Sequence, residues 1–203
     1  MPRSANFQQD LHTMPLEYRL EGASHQFQKH WYQFLAKELE AAREMGPHVL
    51  DVGASDGYGV RILQEAGFAS SGIDIAPLHE SVKNTDISAI PGGSWDWVLA
   101  VDVVEHVAND ILFLRHLLRV AKRGAFFSTP NWNVCRGANP HHIREYSPQE
   151  IKALILLLCL HHDIRGVQIY TSDGQNDVHE RLELPLLFHQ MQDVNFGVLL
   201  LLE

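Results

Sequence analysis

His48-Val-Leu-Asp-Val-Gly-Ala-Ser-Asp-Gly-Tyr-Gly59 decides the fold. An apolar strand runs into Asp51-Val52-Gly53, turns through small residues, and opens into the amphipathic segment Val60 to Ala66. Glycine at 53, 57 and 59 lets backbone approach a ligand closely and take φ > 0 where a side chain would clash. A strand, a glycine turn and a helix start together make a nucleotide-type pocket at the carboxyl end of a sheet strand.

The pattern continues on both sides. Phe27, Trp31, Phe34, Leu35, Leu39 and Ala42 recur at helical spacing before Gly46-Pro47, which predicts a helix over 26–44. Strands are expected at 48–53, 70–75 and 95–101, with a short one ending near 84–87 and a helix over 58–66. The run Trp95 to Val101 is almost continuously apolar, as in a strand covered on both faces. A helix from Asn109 to Ala121, with Ile111, Leu112, Leu114, Leu117 and Leu118 on one face, is expected to be capped by Gly124 ahead of a strand at 125–128. Ser147-Pro-Gln-Glu150 reads as an N-cap, a first-turn proline and a capping-box glutamate, opening a helix to about Leu160. Strands at 164–170 and 196–202 close the chain, with a polar loop over 172–180 between them. Alternating strands and helices give a doubly wound α/β sheet with helices on both faces.

Composition narrows the function. The 203 residues carry a net charge of -9, with 45% hydrophobic and 20% charged residues, an ordinary globular balance. That charge disfavours nonspecific binding to nucleic acid or anionic membrane, both of which reward clustered Lys and Arg. Cys135 and Cys159 give neither a disulfide framework nor metal-ligand spacing, which suits a reducing compartment. Residues 1–10 are polar and lack the apolar core of a signal peptide. The longest apolar run, Ala153 to Leu160, falls far short of the ~20 residues that span a bilayer. A cytoplasmic protein is expected.

Asp74 ends the second strand, close to the ~20-residue spacing at which an acid meets a ribose hydroxyl. Alone it also reads as a solvated turn residue; behind the glycine turn, the ribose reading is the better one. A dinucleotide fingerprint has no acid ahead of its glycines, because the helix N-terminus there faces a pyrophosphate. Asp51 would repel that group, yet it can organise a cationic amine. S-adenosylmethionine offers an ammonium, a sulfonium and no phosphate.

On these residues the chain resembles the class I S-adenosylmethionine-dependent methyltransferases, over nearly its whole length. Val49 to Gly59 resembles the family's first motif, Gly72-Ile-Asp-Ile75 its second, Asp86-Ile87 its adenine site, and Trp95 to His106 its fourth motif. Ser55 departs from the glycine many members carry. The resemblance implies a seven-stranded Rossmann-like sheet of order 3-2-1-4-5-7-6 with the last strand antiparallel. It implies one domain over 1–203, in which an arm and helix (1–45) cover the cofactor and 46–203 form the sheet core. Met14-Pro-Leu-Glu-Tyr-Arg19 resembles a pre-helical segment of several branches, so Tyr18 and Arg19 could touch cofactor or substrate, a surface-loop role being as credible. The implied cofactor-binding residues are Asp51, Gly53, Ala54, Gly57, Tyr58, Asp74, Ile75, Asp86, Ile87 and Val101, with S-adenosylhomocysteine as product.

Methyl transfer needs positioning and, for a hydroxyl acceptor, a base. His142 and His106 are the expected catalytic residues, each with the alternative of a hydrogen-bonded loop histidine. Asp102, Glu105, His106 and His142 also form a plausible divalent-metal set. That set resembles the E-x-x-E-H and later histidine of small-RNA 3′-terminal methyltransferases, with Asp102 in place of the first glutamate. The leading expectation is a methyl transfer to an oxygen of a small or sugar-like acceptor. The alternatives are a metal-assisted enzyme of RNA 3′ ends or diols, and a noncatalytic binding module of the same fold.

Overall fold

The computed structural model describes residues 23–137, 139–174, 177–181 and 193–202. Tyr18 and Arg19 lie outside them. In chain order the elements are α1 (Ala23–Glu38), β1 (His48–Val52), α2 (Tyr58–Glu65), β2 (Ala69–Asp74), β3 (Val82–Asn84), β4 (Trp95–Ala100), α3 (Asp110–Val120), β5 (Ala121–Pro130), α4 (Trp132–Cys135), α5 (Pro148–His161), β6 (Gly166–Ser172), β7 (Val178–Arg181) and β8 (Asn195–Leu201). Single 3-10 turns stand at Glu40–Ala42, Ile87–Ala89 and Val104–His106.

The sheet order is β3-β2-β1-β4-β5-β8-β6-β7. The first five strands pair in parallel, and β8 inserts antiparallel between β5 and β6. This is the expected arrangement plus one strand. β7 lies in the segment read as a polar loop and pairs antiparallel with β6 at the sheet edge. Its sequence, Val-His-Glu-Arg, carries no apolar alternation, and charge on an edge strand guards against further pairing.

A second expectation fails at Gly124. The helix ends at Val120 and β5 starts at Ala121, already paired with Trp95 of β4. Gly124 sits inside the strand, where a Cβ would lie 2.6 Å from the Leu200 carbonyl oxygen and 2.8 Å from the Trp97 ring. Its smallness serves close packing rather than a helix end. Long-range strand pairing overrides the local capping signal here.

Alternate residues of the central strands face opposite layers. Val98, Phe127 and Val198 pack with Leu114 and Leu117 of α3 and with Ile151 and Leu158 of α5. Leu99, Phe126 and Leu199 pack with Trp31 and Leu35 of α1 on the other face. Each such side chain contributes about 1.5–3 kcal/mol on burial. α5 begins with the expected capping box: Ser147 Oγ accepts from the Glu150 N–H at 3.3 Å, while Glu150 Oε2 accepts from the Ser147 N–H at 2.7 Å. No described helix is long and apolar enough to cross a membrane.

Candidate active site

The carboxyl ends of β1, β2 and β4 meet along one edge of the sheet. After β1 the backbone takes left-handed values at Gly53 (φ 80°), Ser55 (φ 50°) and Gly57 (φ 78°). The N–H groups of Gly53 and Ala54 both donate to the Ile73 carbonyl, at 2.9 and 3.1 Å, and the Gly57 N–H donates to the Ala54 carbonyl at 2.7 Å. Ser55 thus bears a conformation that favours glycine, and its N–H donates to Asp74 Oδ2 at 2.9 Å. The other Asp74 oxygen accepts from the Ala76 N–H at 2.8 Å. Asp74 therefore ties the turn after β1 to the end of β2. A carboxylate has about four lone-pair sites and can accept from backbone N–H groups and from hydroxyls alike.

Asp51 is fully buried. The Tyr32 hydroxyl from α1 donates to both its oxygens, at 3.1 and 3.0 Å. Burial pushes the Asp51 carboxyl up to about 7, against the Tyr32 hydrogen bond and helped by the charge of Asp74. The Tyr32 hydroxyl is itself held above its ordinary value by burial and by Asp51. Tyr32 was not singled out by the sequence, since it adjoins the apolar stripe of a helix.

Tyr32 reaches Asp51 because position 59 has no side chain. A Cβ on Gly59 would lie 2.1–2.6 Å from the Tyr32 ring. Gly59→Ala is therefore expected to cost about 1–3 kcal/mol or more by overpacking. Urea denaturation should show that loss, and should show it shrinking in a Tyr32→Ala background. A cost unchanged by removing the ring would sink the explanation.

The remaining residues expected at the cofactor site differ in what they expose. Ile75, beyond β2, is 38% exposed. Asp86 accepts from the Ser88 N–H at 2.7 Å and heads the 3-10 turn. The Ile87 side chain is buried in the core, so only its backbone remains for a ligand. Ala54 and Val101 are buried, and the Val101 carbonyl accepts from Gln28 Nε2 of α1 at 3.4 Å. Tyr58 is half-buried at the start of α2. Asp51, Asp74 and Asp86 make this an acceptor-rich donor set without a cation among the expected residues. It suits an ammonium, ribose hydroxyls and an exocyclic amine, and it opposes a pyrophosphate.

Past β4, Asp102 takes φ 53°. Its Oδ1 accepts from Ser128 Oγ at 2.6 Å, and Ser128 Oγ accepts from the Asp102 N–H at 2.9 Å. Desolvation raises the Asp102 carboxyl to about 6. Glu105, in the following 3-10 turn, is fully buried, and neither of its oxygens has a hydrogen-bond partner among the described residues. Burial first, then the Asp102 charge, push its acid well above the usual range. The Thr129 hydroxyl beside it is also buried without a partner in hydrogen-bond geometry.

The loop after β5 brings the second histidine to this point. The N–H groups of Ile143 and Arg144 donate to the Glu105 carbonyl at 3.0 and 3.4 Å. Arg144 and the Tyr146 hydroxyl both donate to Asp110 Oδ2, at 2.6 and 2.9 Å, at the start of α3. So held, His142 sits edge-on to His106 with ring centroids 4.9 Å apart. One ligand atom from each of Glu105, His106 and His142 lies within 4.8 Å of the others. Asp102, paired with Ser128, does not join this cluster. Burial lowers the His142 imidazole, partly offset by Glu145.

A methyltransferase-domain family model matches residues 23–196. The 2-methyl-6-phytyl-1,4-hydroquinone methyltransferase of Synechocystis sp. is 34% identical over 106 residues, covering 43% of this chain and 33% of that protein. The ubiquinone biosynthesis O-methyltransferase of Bordetella avium is 33% identical over 122 residues, covering 51% and 48%. The chain thus spans a third to a half of the length of these two curated relatives. Among solved structures, the magnesium protoporphyrin IX methyltransferase of Synechocystis with bound S-adenosylmethionine superposes with a TM-score of 0.58 at 14% identity, covering 94% of this chain and 86% of that one. With the family model spanning most of the chain and the sheet order of that fold in place, the protein belongs to the methyltransferase-domain family, of the class I S-adenosylmethionine-dependent type.

Proposed function

We propose that the chain transfers the methyl group of S-adenosylmethionine to an oxygen of a small or carbohydrate-like acceptor. The observation carrying this reading is the convergence of His106 and His142 on the buried Glu105, beside the strand ends that bear the carboxylate row. Asp51 would attract the cofactor's ammonium, Asp74 would accept from its ribose, and Asp86 with the Ile87 backbone would meet its adenine. Gly53, Ala54, Gly57, Tyr58, Ile75 and Val101 would line the remainder, with α1 as the cover.

When bound, the cofactor supplies an electrophilic methyl carbon and a sulfur that keeps the bonding pair on leaving. The acceptor oxygen forms the new bond to carbon, and its proton passes to Nε2 of His142. Burial keeps that imidazole below its ordinary pKa, so it stands neutral and ready as a base near pH 7. The incoming hydroxyl takes the place of the Asn139 amide, which donates to Nε2 at 3.0 Å. Glu105, whose acid burial raises well above its ordinary value, would stand buried beside the two imidazoles.

A second reading has the same cluster hold a divalent cation that binds a vicinal diol. The unpartnered Glu105 oxygens beside two imidazoles favour it, and one carboxylate with two imidazoles suits a borderline transition metal.

One experiment tests both readings. Labelled-methyl transfer is measured from S-adenosylmethionine to a panel of catechols, hydroquinones and sugars, with and without a chelator. Turnover that survives the chelator is expected and removes the metal reading; turnover abolished by the chelator and restored by metal replaces the first reading with the second. Labelling confined to nitrogen or carbon acceptors overturns the oxygen assignment.

A further inference from the structure

We propose that Glu145 is a positioning residue that fixes the tautomer of His142, presenting Nε2 as the electron-pair atom of the acceptor site. The inference rests on the role given to His142 above. Glu145 is nearly buried, its side chain 4% exposed, and His142 is 10% exposed. Glu145 Oε1 lies 3.1 Å from His142 Nδ1, and its Oε2 accepts from the Gly137 N–H at 2.9 Å. A carboxylate here is acceptor-only, so Nδ1 must carry the hydrogen.

The opposite side of the ring agrees. Asn139 Oδ1 accepts from the His141 N–H at 2.9 Å, which leaves the Asn139 NH2 group facing His142 Nε2 at 3.0 Å. A donor there demands a lone pair on Nε2. The reverse tautomer would set a lone pair against the carboxylate and an N–H against the amide. His106 follows the same rule: its Nδ1 lies 3.1 Å from the His141 carbonyl oxygen, an acceptor, so its electron pair is also on Nε2.

The local sequence explains how one segment does two jobs. Arg144 and Tyr146 reach Asp110 and anchor the loop on α3, while Glu145 between them faces His142. A carboxylate behind an imidazole orients the ring and raises the basicity of the far nitrogen. The charged and titratable groups around His142 are Glu145, His141, His106 and Glu105.

Heteronuclear NMR of isotope-labelled imidazoles tests this without an acceptor, with the His142 signal assigned by its absence in His142→Gln. The wild-type protein is expected to show Nδ1–H with an unprotonated Nε2; Nε2–H in the wild type overturns the proposal outright. In an Asn139→Ala background, where no amide holds Nε2, Glu145→Gln is expected to shift the ring toward Nε2–H and lower the His142 pKa by about one unit, with Glu145→Asp restoring part of both. An unchanged tautomer and pKa in that double variant would also overturn it. The acceptor reading fails separately. If His142→Ala transferred methyl at the full rate while the tautomer still followed Glu145, that reading would fall and the coupling would stand.

Discussion

Asp51→Asn is expected to make the cofactor-free protein more stable at pH 8, by about 1–3 kcal/mol, while weakening its hold on the cofactor. The carboxyl is raised from 3.8 to about 7, so the folded state binds a proton that the unfolded chain has already lost. Stability from this group is complete below roughly pH 4 and is lost as pH rises to about 7, a total of ~4 kcal/mol at 1.36 kcal/mol per unit. Asparagine abolishes that loss, but its amide N–H groups need an acceptor beneath Tyr32, which returns about 1–3 kcal/mol. Urea denaturation of both proteins across this pH range should give a falling curve for wild type and a flatter one for the variant. Parallel curves would show that Asp51 is ionised at no cost.

The same residue links binding to protons. A cofactor ammonium beside Asp51 favours the carboxylate, so affinity for S-adenosylhomocysteine should rise as pH approaches about 7 and the wild type should release a proton on binding. Asp51→Asn should bind about 10–100-fold more weakly, the worth of a charge-assisted hydrogen bond, and release none. Calorimetry in buffers of different ionisation enthalpy reads both effects.

His142→Ala is expected to lower kcat by about 10²–10⁴-fold with S-adenosylhomocysteine affinity little changed. Loss of turnover with intact binding separates a role at the acceptor from damage to the fold. In wild type the rate should fall on the acid side, at a pH below the ordinary histidine value, because burial lowers the imidazole. A variant with undiminished turnover would remove His142 from the chemistry.

The elements show where sequence was legible and where it was not. The turn Gly53–Gly57 and the capping box at Ser147 lie within a few consecutive residues, and backbone geometry there demands particular side chains. Gly124 misled because the same residue type serves two needs: a helix end asks for left-handed freedom, whereas a crowded strand asks for absence of a Cβ. β7 was invisible because an edge strand needs no apolar alternation. Asn139 and Glu145 stand three positions either side of His142, a spacing visible in the sequence but mute until the loop's conformation turned all three together.

The sequence by itself determined the methyltransferase class and its donor cofactor. Those are legible in contiguous runs at strand ends, where the motifs that carry the resemblance lie. Tertiary structure alone decided that Tyr32 of α1 covers Asp51, that Asp102 turns to Ser128, and that Glu105, His106 and His142 meet. Each of those contacts joins segments distant in the chain. Sheet register and helix packing, rather than any local pattern, set the few ångströms that make them.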